Sequence, residues 1–99
     1  MADLAALTKA DFDAQLGTTF VVRVAADRTL ELDLVETTAL STRPGAPRSA
    51  FSILLRGRDR THLPQRTYAF THPALGELAL FIVPVGPDAK GMRYEAIFS

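Results

Sequence analysis

Cysteine is missing from this chain of 99 residues, and histidine is almost missing. The first absence excludes disulfides, thiolate metal sites and a cysteine nucleophile. The two histidines, His62 and His72, stand ten residues apart, outside any HxH or HExxH spacing, so we expect neither a metal site nor a cofactor. We interpret both as solvated residues of a loop and a turn, with His72 holding the turn before Pro73.

Long apolar runs are missing as well. The most apolar stretch, Leu78 to Val85, is far too short to span a bilayer, which takes about 20 residues. The N-terminal segment carries Asp3, Asp11 and Asp13, where a secretory signal would have a basic start followed by an apolar run. Together with the missing cysteines, these features predict a cytoplasmic protein without membrane partners.

Catalytic motifs are not found either. No serine lies in a GxSxG motif, and Ser52, between apolar strand positions, is expected to face solvent or cap an edge. Glu31 and Asp33 share one face of a strand, but the leucines that alternate with them make this the wet face of an amphipathic strand. Residues 86–91 resemble a phosphate-binding loop only in their glycines, since neither a GK[ST] ending nor a helix follows. The sequence therefore predicts a protein that is not an enzyme.

Apolar residues in steps of two are what the chain does contain. They predict six strands, at about residues 18–25, 29–39, 50–57, 66–72, 77–85 and 92–98. Before them, a capping box of Thr8 and Asp11 begins a short helix over about residues 8–16, which Gly17 ends. No helix is available for a crossover between strands, so the strands are predicted to be antiparallel. We expect a single, mainly β domain over residues 1–99, built as a six-stranded curled antiparallel sheet or small barrel with a short N-terminal helix; a two-layer roll is the alternative.

Two strands depart from simple alternation. The pattern changes phase between Leu34 and Glu36, which predicts a β-bulge or a bend. The stretch from Leu78 to Val85 is apolar on both faces, so we expect it to be covered on both sides or to lie where the sheet closes on itself. Pro84 predicts that this strand ends at an edge or a bulge.

Arginine is concentrated in the middle of the chain. Residues 41–66 hold six arginines and one aspartate, although the net charge of the whole chain is zero. The candidate partner-binding residues are Arg43, Arg48, Arg56, Arg58, Arg60 and Arg66. Arginine suits bidentate contact with carboxylate or phosphate. The aromatic residues, however, lie on apolar strand faces and are expected in the core, not as exposed stacking platforms for nucleic acid. A solvated or internally paired arginine face is the simplest interpretation, a protein-binding surface is the next, and nucleic acid follows.

Several motifs together resemble a known family. They are LTKADF at residues 7–12, RPGAPR at 43–48, FSILLRG at 51–57, LPQRTY at 63–68, HPALGELALFIVPVG at 72–86 and YEAIF at 94–98. They are similar to a family of small uncharacterised bacterial domains with the pattern LPQGTY, HPxLG, LFLVPVG and YEAxFN. The chain differs at Arg66, where the pattern has Gly, and at Ser99, where it has Asn. The resemblance implies a stand-alone domain that accompanies phage-tail-like or tail-collar-like proteins, and it supplies no catalytic residues.

Residues and resemblance lead to one functional expectation and one alternative. We predict a non-enzymatic protein-interaction or assembly module, accessory to a phage-tail-like system, with a protein partner or self-association. An unpaired first or last strand would offer an edge for self-association. The alternative is a small β-barrel that binds a small ligand or single-stranded nucleic acid through its arginine-rich face.

Overall fold

The computed structural model describes residues 4–41, 44–45, 49–58 and 62–98. The elements are a 3₁₀ turn (Leu4–Ala6), α1 (Lys9–Asp13), β1 (Thr19–Ala25), β2 (Arg28–Ala39), β3 (Phe51–Gly57), β4 (Arg66–His72), β5 (Gly76–Asp88) and β6 (Gly91–Phe98). The six strands close into an antiparallel barrel in the order β1-β2-β3-β6-β5-β4. The predicted mainly β class with a short N-terminal helix is confirmed, and of the geometries considered the closed barrel is the correct one.

Closure gives every strand two neighbours. β1 pairs with both β2 and β4, and β6 pairs with both β3 and β5. The expectation of an unpaired first or last strand was therefore wrong, because a closed barrel has no outermost strand. The β1–β4 ladder is the shortest of the six and joins residues 21–23 to residues 69–71.

The interior of the barrel is filled with side chains. On β2, for example, Leu32 and Leu34 point inward and are buried, whereas Glu31 and Asp33 point outward. A barrel of this strand number is narrow enough for its own side chains to occupy the inside. The alternation read from the sequence therefore corresponds to inside and outside positions of the barrel wall.

Helix α1 closes one end of the barrel with Phe12. This side chain is completely buried, and its ring centroid lies 6.4, 5.8 and 5.1 Å from those of Phe20, Phe51 and Phe98. The predicted capping box is confirmed, since Thr8 and Asp11 each bond the backbone N–H of the other. A helix this short depends on such packing, because isolated short helices are unstable in water.

The helix ends at Asp13 and not at residue 16 as expected. The next backbone bonds run from Gln15 N–H to Phe12 O at 2.8 Å and from Leu16 N–H to Asp13 O at 3.3 Å. Such bonds to the third preceding residue tighten the last turn into a non-α geometry. Gly17, with φ of 84°, then turns the chain into β1, so the predicted stopping residue is right although the helix is shorter.

Both predicted irregularities are β-bulges. The β2–β3 register shifts between Leu34 and Glu36, and the β5–β6 register shifts between Pro84 and Gly86. At the second bulge Gly86 has φ of 100°, a conformation that side chains disfavour. Bulges increase the local bend and twist of a strand, which helps a sheet of few strands to close.

Residues 62–65 cross the opposite end of the barrel. Leu63 belongs to the buried core, and its N–H donates to the Tyr94 hydroxyl at 3.0 Å. The Tyr68 hydroxyl donates to Pro64 O at 2.8 Å. Two tyrosines of the barrel wall therefore hold this segment in place, and both ends of the barrel are closed by the chain itself.

Two side chains lie opposite to expectation. Ser52 is buried, because in register it stands between Thr38 of β2 and Ile97 of β6, whose larger side chains flank it on the outer wall. Phe81, expected in the core, is 51% exposed, because it occupies an outward position of β5 between inward Leu80 and Ile82.

Among the described residues, no helix is both long and apolar enough to cross a membrane.

Candidate functional site

Arg58 is held by two carboxylates of β2. Its guanidinium nitrogens lie 2.9 Å from Glu31 Oε1 and 3.1 Å from Asp33 Oδ1. The hydrogen bond from Arg58 holds the pKa of Asp33 below its ordinary value, and the same bond raises the pKa of Arg58. Since Arg58 and Glu31 are half exposed, water screens these ion pairs and they contribute little to stability.

Arg56 connects β3 to the hairpin between β5 and β6. Its Nη2 lies 2.6 Å from Asp88 Oδ2, and its Nε donates to the same oxygen at 2.9 Å. The other oxygen of Asp88 accepts the backbone N–H groups of Lys90 and Gly91. Chiefly the bond from Lys90 N–H lowers the pKa of Asp88. Arg56 therefore braces a turn that a carboxylate has already ordered.

The remaining arginines do not extend this cluster within the described structure. Arg66 lies 4.7 Å above the ring of Tyr68 at the start of β4, and in the barrel two strands separate β4 from β3 in either direction. Arg43, Arg48 and Arg60 lie outside the described residues. A role of the six arginines in partner binding stays a prediction.

His72 is buried, contrary to the expectation that it is solvated. The centroid of its ring lies 4.3 Å from the centroid of the Phe20 ring. Nδ1 accepts the N–H groups of Ala74 and Leu75 at 3.0 and 3.3 Å. The hydrogen-bond pattern therefore assigns the proton to Nε2, which donates to Thr18 Oγ1 at 2.8 Å. Burial lowers the pKa of His72, and the expected role in holding the turn is confirmed.

Metal chemistry has no visible basis in the part of the chain that is described. No group of three or more His, Asp or Glu side chains there is arranged to hold an ion. The carboxylates of Glu31 and Asp33 both contact Arg58.

An exposed apolar surface is the least ordinary feature of the outer wall. We call it the outer apolar face and define it by the outward residues Ala69, Ala79, Phe81, Val83, Val85 and Ile97. Phe81, Val85 and Ile97 are 51%, 43% and 64% exposed. Single exposed apolar residues are common, but a group of neighbours marks an interaction surface more often. The doubly apolar pattern of β5 was the sequence signal for this face, although it predicted a strand that is covered on both sides or lies where the sheet closes on itself.

Strand pairing makes these residues neighbours. Ala69 of β4 is paired with Ala79 of β5, and Phe81 and Ile97 line the same shallow cleft of about 280 Å³. Leu4, which is partly buried against the core, lines the cleft as well. At its ends the face carries charge, with Glu77 before Ala79 on β5 and Arg93 paired with Gly86 beyond Val85, and Glu95 borders it on β6 opposite Val83. The surface can therefore receive another apolar surface with a charged group at each end.

Fold and surface define a small closed β-barrel domain, closed at both ends by its own side chains and apolar on one outer side. The chain belongs to a family described as a domain of unknown function, DUF6916, whose model matches residues 7–98. No curated protein and no solved structure is significantly similar to it.

Proposed function

We propose that this protein is a non-enzymatic protein-interaction or assembly module that binds through its outer apolar face. The exposure of Phe81, Val85 and Ile97 on adjacent strands carries the proposal. Fully burying one large apolar side chain is worth about 1.5–3 kcal/mol. Since these three are each about half exposed, covering them together contributes on the order of 3 kcal/mol before the costs of association.

The state of the polar groups supports a binding role over catalysis. His72 is engaged by the turn and by Thr18, and Arg58 is engaged by Glu31 and Asp33. A catalytic group needs access to a substrate and a pKa suited to proton transfer. These groups instead hold secondary-structure elements together.

The family resemblance adds a setting to the proposal. It implies an accessory role beside phage-tail-like proteins. In such a setting the outer apolar face is the surface of attachment, because every strand of the barrel is paired on both sides and offers no free edge to a partner.

Capture experiments with the whole protein test this proposal. Tagged wild-type protein is expected to self-associate in light scattering or to retain a protein from its native lysate, and Phe81→Glu is expected to abolish either effect. Leu16→Glu is the matched control, because Leu16 is 45% exposed and the next residue, Gly17, bonds to Leu34 of β2, which two strands separate from β5. A monomer that retains nothing, or retention that Phe81→Glu leaves intact, would contradict the proposal.

The alternative through the arginines is tested separately. Two of the described arginines, Arg56 and Arg58, already contact carboxylates, which leaves them less suited to phosphate. We therefore expect no binding of short single-stranded oligonucleotides in fluorescence anisotropy. Binding that weakens steeply with salt would instead favour phosphate contacts.

A further inference from the structure

We infer that the outer apolar face binds a second copy of this chain, face to face around a two-fold axis, with the two β5 strands antiparallel. The inference rests on the proposed function and names its partner. The observation behind it is the placement of charge at the two ends of the face.

One end of the face carries Glu77 and the other carries Arg93, with Glu95 between Arg93 and Ile97 on β6. Glu77 is exposed and precedes Ala79 on β5. Arg93 lies beyond the other end, where its Nε donates to Gly86 O at 3.2 Å. Neither side chain makes an ion pair with any residue that the structure describes.

Arg93 also lies opposite another cation. It is the cross-strand partner of Arg56, and like charges in such positions repel. Asp88 already neutralises Arg56, so the charge of Arg93 has no comparable partner among the described residues. Glu95, the next outward residue of β6, makes no ion pair with it either. A carboxylate supplied by another molecule would complete this end of the face.

A two-fold axis at the level of Phe81 supplies such a carboxylate. If the axis lies in the interface and crosses the strands, Phe81 meets its own copy and Val83 meets Ala79 of the second copy. The Arg93 side chain of each copy then lies next to Glu77 of the other copy, and the two-fold axis makes the two contacts identical. The parallel arrangement would place each charge beside its own copy, which is unfavourable.

The size of the face sets the expected affinity. From Glu77 to Val85 the strand extends roughly 26 Å, and the three strands β4, β5 and β6 span roughly 10 Å at the usual spacings. This footprint is about a third of the roughly 800 Å² per partner that a standard stable interface buries. We therefore expect a weak dimer whose population rises with concentration. Because the closed barrel has no free strand edge, the two copies associate through their outer apolar faces.

Charge reversal with rescue tests the arrangement. Sedimentation velocity of the purified full chain, from micromolar to millimolar concentration, should show a monomer–dimer equilibrium. Each dimer contains two Glu77–Arg93 contacts, and each exposed contact is worth a few-fold in affinity. Glu77→Arg or Arg93→Glu alone should therefore raise the dissociation constant about tenfold, and the double variant should restore it. Melting curves establish that each variant is folded, and Glu77→Arg, at an exposed position, remains informative if Arg93→Glu unfolds.

The controls separate this inference from the proposed function. Phe81→Glu should abolish the dimer, and Leu16→Glu should leave it unchanged. A monomer at all concentrations, a dimer insensitive to Phe81→Glu, or a double variant without rescue overturns the inference. If the purified protein is monomeric but captures a different protein through Phe81, the proposed function survives alone. If it is monomeric and captures nothing, both are refuted.

Discussion

Removal of the Phe12 ring is the sharpest test of how the barrel is closed. Phe12→Ala deletes a completely buried side chain that contacts three other aromatic rings. Phe→Ala substitutions in cores cost about 3–5 kcal/mol, because they lose apolar burial and leave a cavity. Since α1 brings no other fully buried side chain, little nearby can move in to fill the space. We expect the upper part of this range.

The expected loss is large relative to the total. A domain of this size has a free energy of unfolding of about 5–15 kcal/mol, so Phe12→Ala should remove a third of it or more. Urea denaturation followed by circular dichroism measures the change through the midpoint, provided that the slope is unchanged. Near-ultraviolet signals from the surrounding rings should weaken as well.

A neighbouring substitution provides the control for this measurement. Leu16→Ala removes an apolar side chain just after the same helix, but Leu16 is 45% exposed, so its loss should cost about 0.5 kcal/mol or less. If Phe12→Ala costs no more than Leu16→Ala, the helix does not close the barrel and the argument is refuted.

Three further perturbations test the polar contacts. Burial lowers the pKa of His72 in the folded state below the ordinary 6.5, so its contribution to stability is complete above about pH 6.5 and is lost as the pH falls through the lowered value. The urea midpoint should therefore decline as the pH falls below about 6.5. His72→Ala should make this decline smaller. Tyr94→Phe removes the acceptor of Leu63 N–H and should cost about 1–3 kcal/mol, with faster amide exchange at Leu63; unchanged exchange would refute this contact. Arg58→Ala should leave the urea midpoint almost unchanged, since its ion pairs are exposed, and a clear fall in the midpoint would refute this account of the pairs.

Local pattern predicted much of the fold. Leu32 and Leu34, which alternate with Glu31 and Asp33, indicated inward positions that are buried in the barrel. Pro84 indicated an edge or a bulge, because it lacks the N–H that a regular ladder needs. Closure was left open, since alternation within a strand does not say which distant strand lies beside it. The pairing of Val21 with Thr71, for example, joins segments far apart in the chain.

The candidate site was less predictable for the same reason. The sequence showed that β5 is apolar on both faces, but whether another element covers Phe81 depends on the packing of the whole chain. The arginines were equally visible, yet the carboxylate that contacts Arg56 belongs to Asp88, which is 32 residues away. Burial of His72 likewise follows from its contact with Thr18, which lies 54 residues earlier.

The short ladder between β1 and β4 has a consequence for dynamics. Only residues 21–23 and 69–71 form this seam, and it joins the two halves of the chain, so its loop-closure entropy is high and its hydrogen bonds are few. The seam should therefore form last during folding and open first in the native state. Hydrogen exchange at Val22 and Phe70 should report this local opening at a lower free energy than exchange in the β5–β6 hairpin.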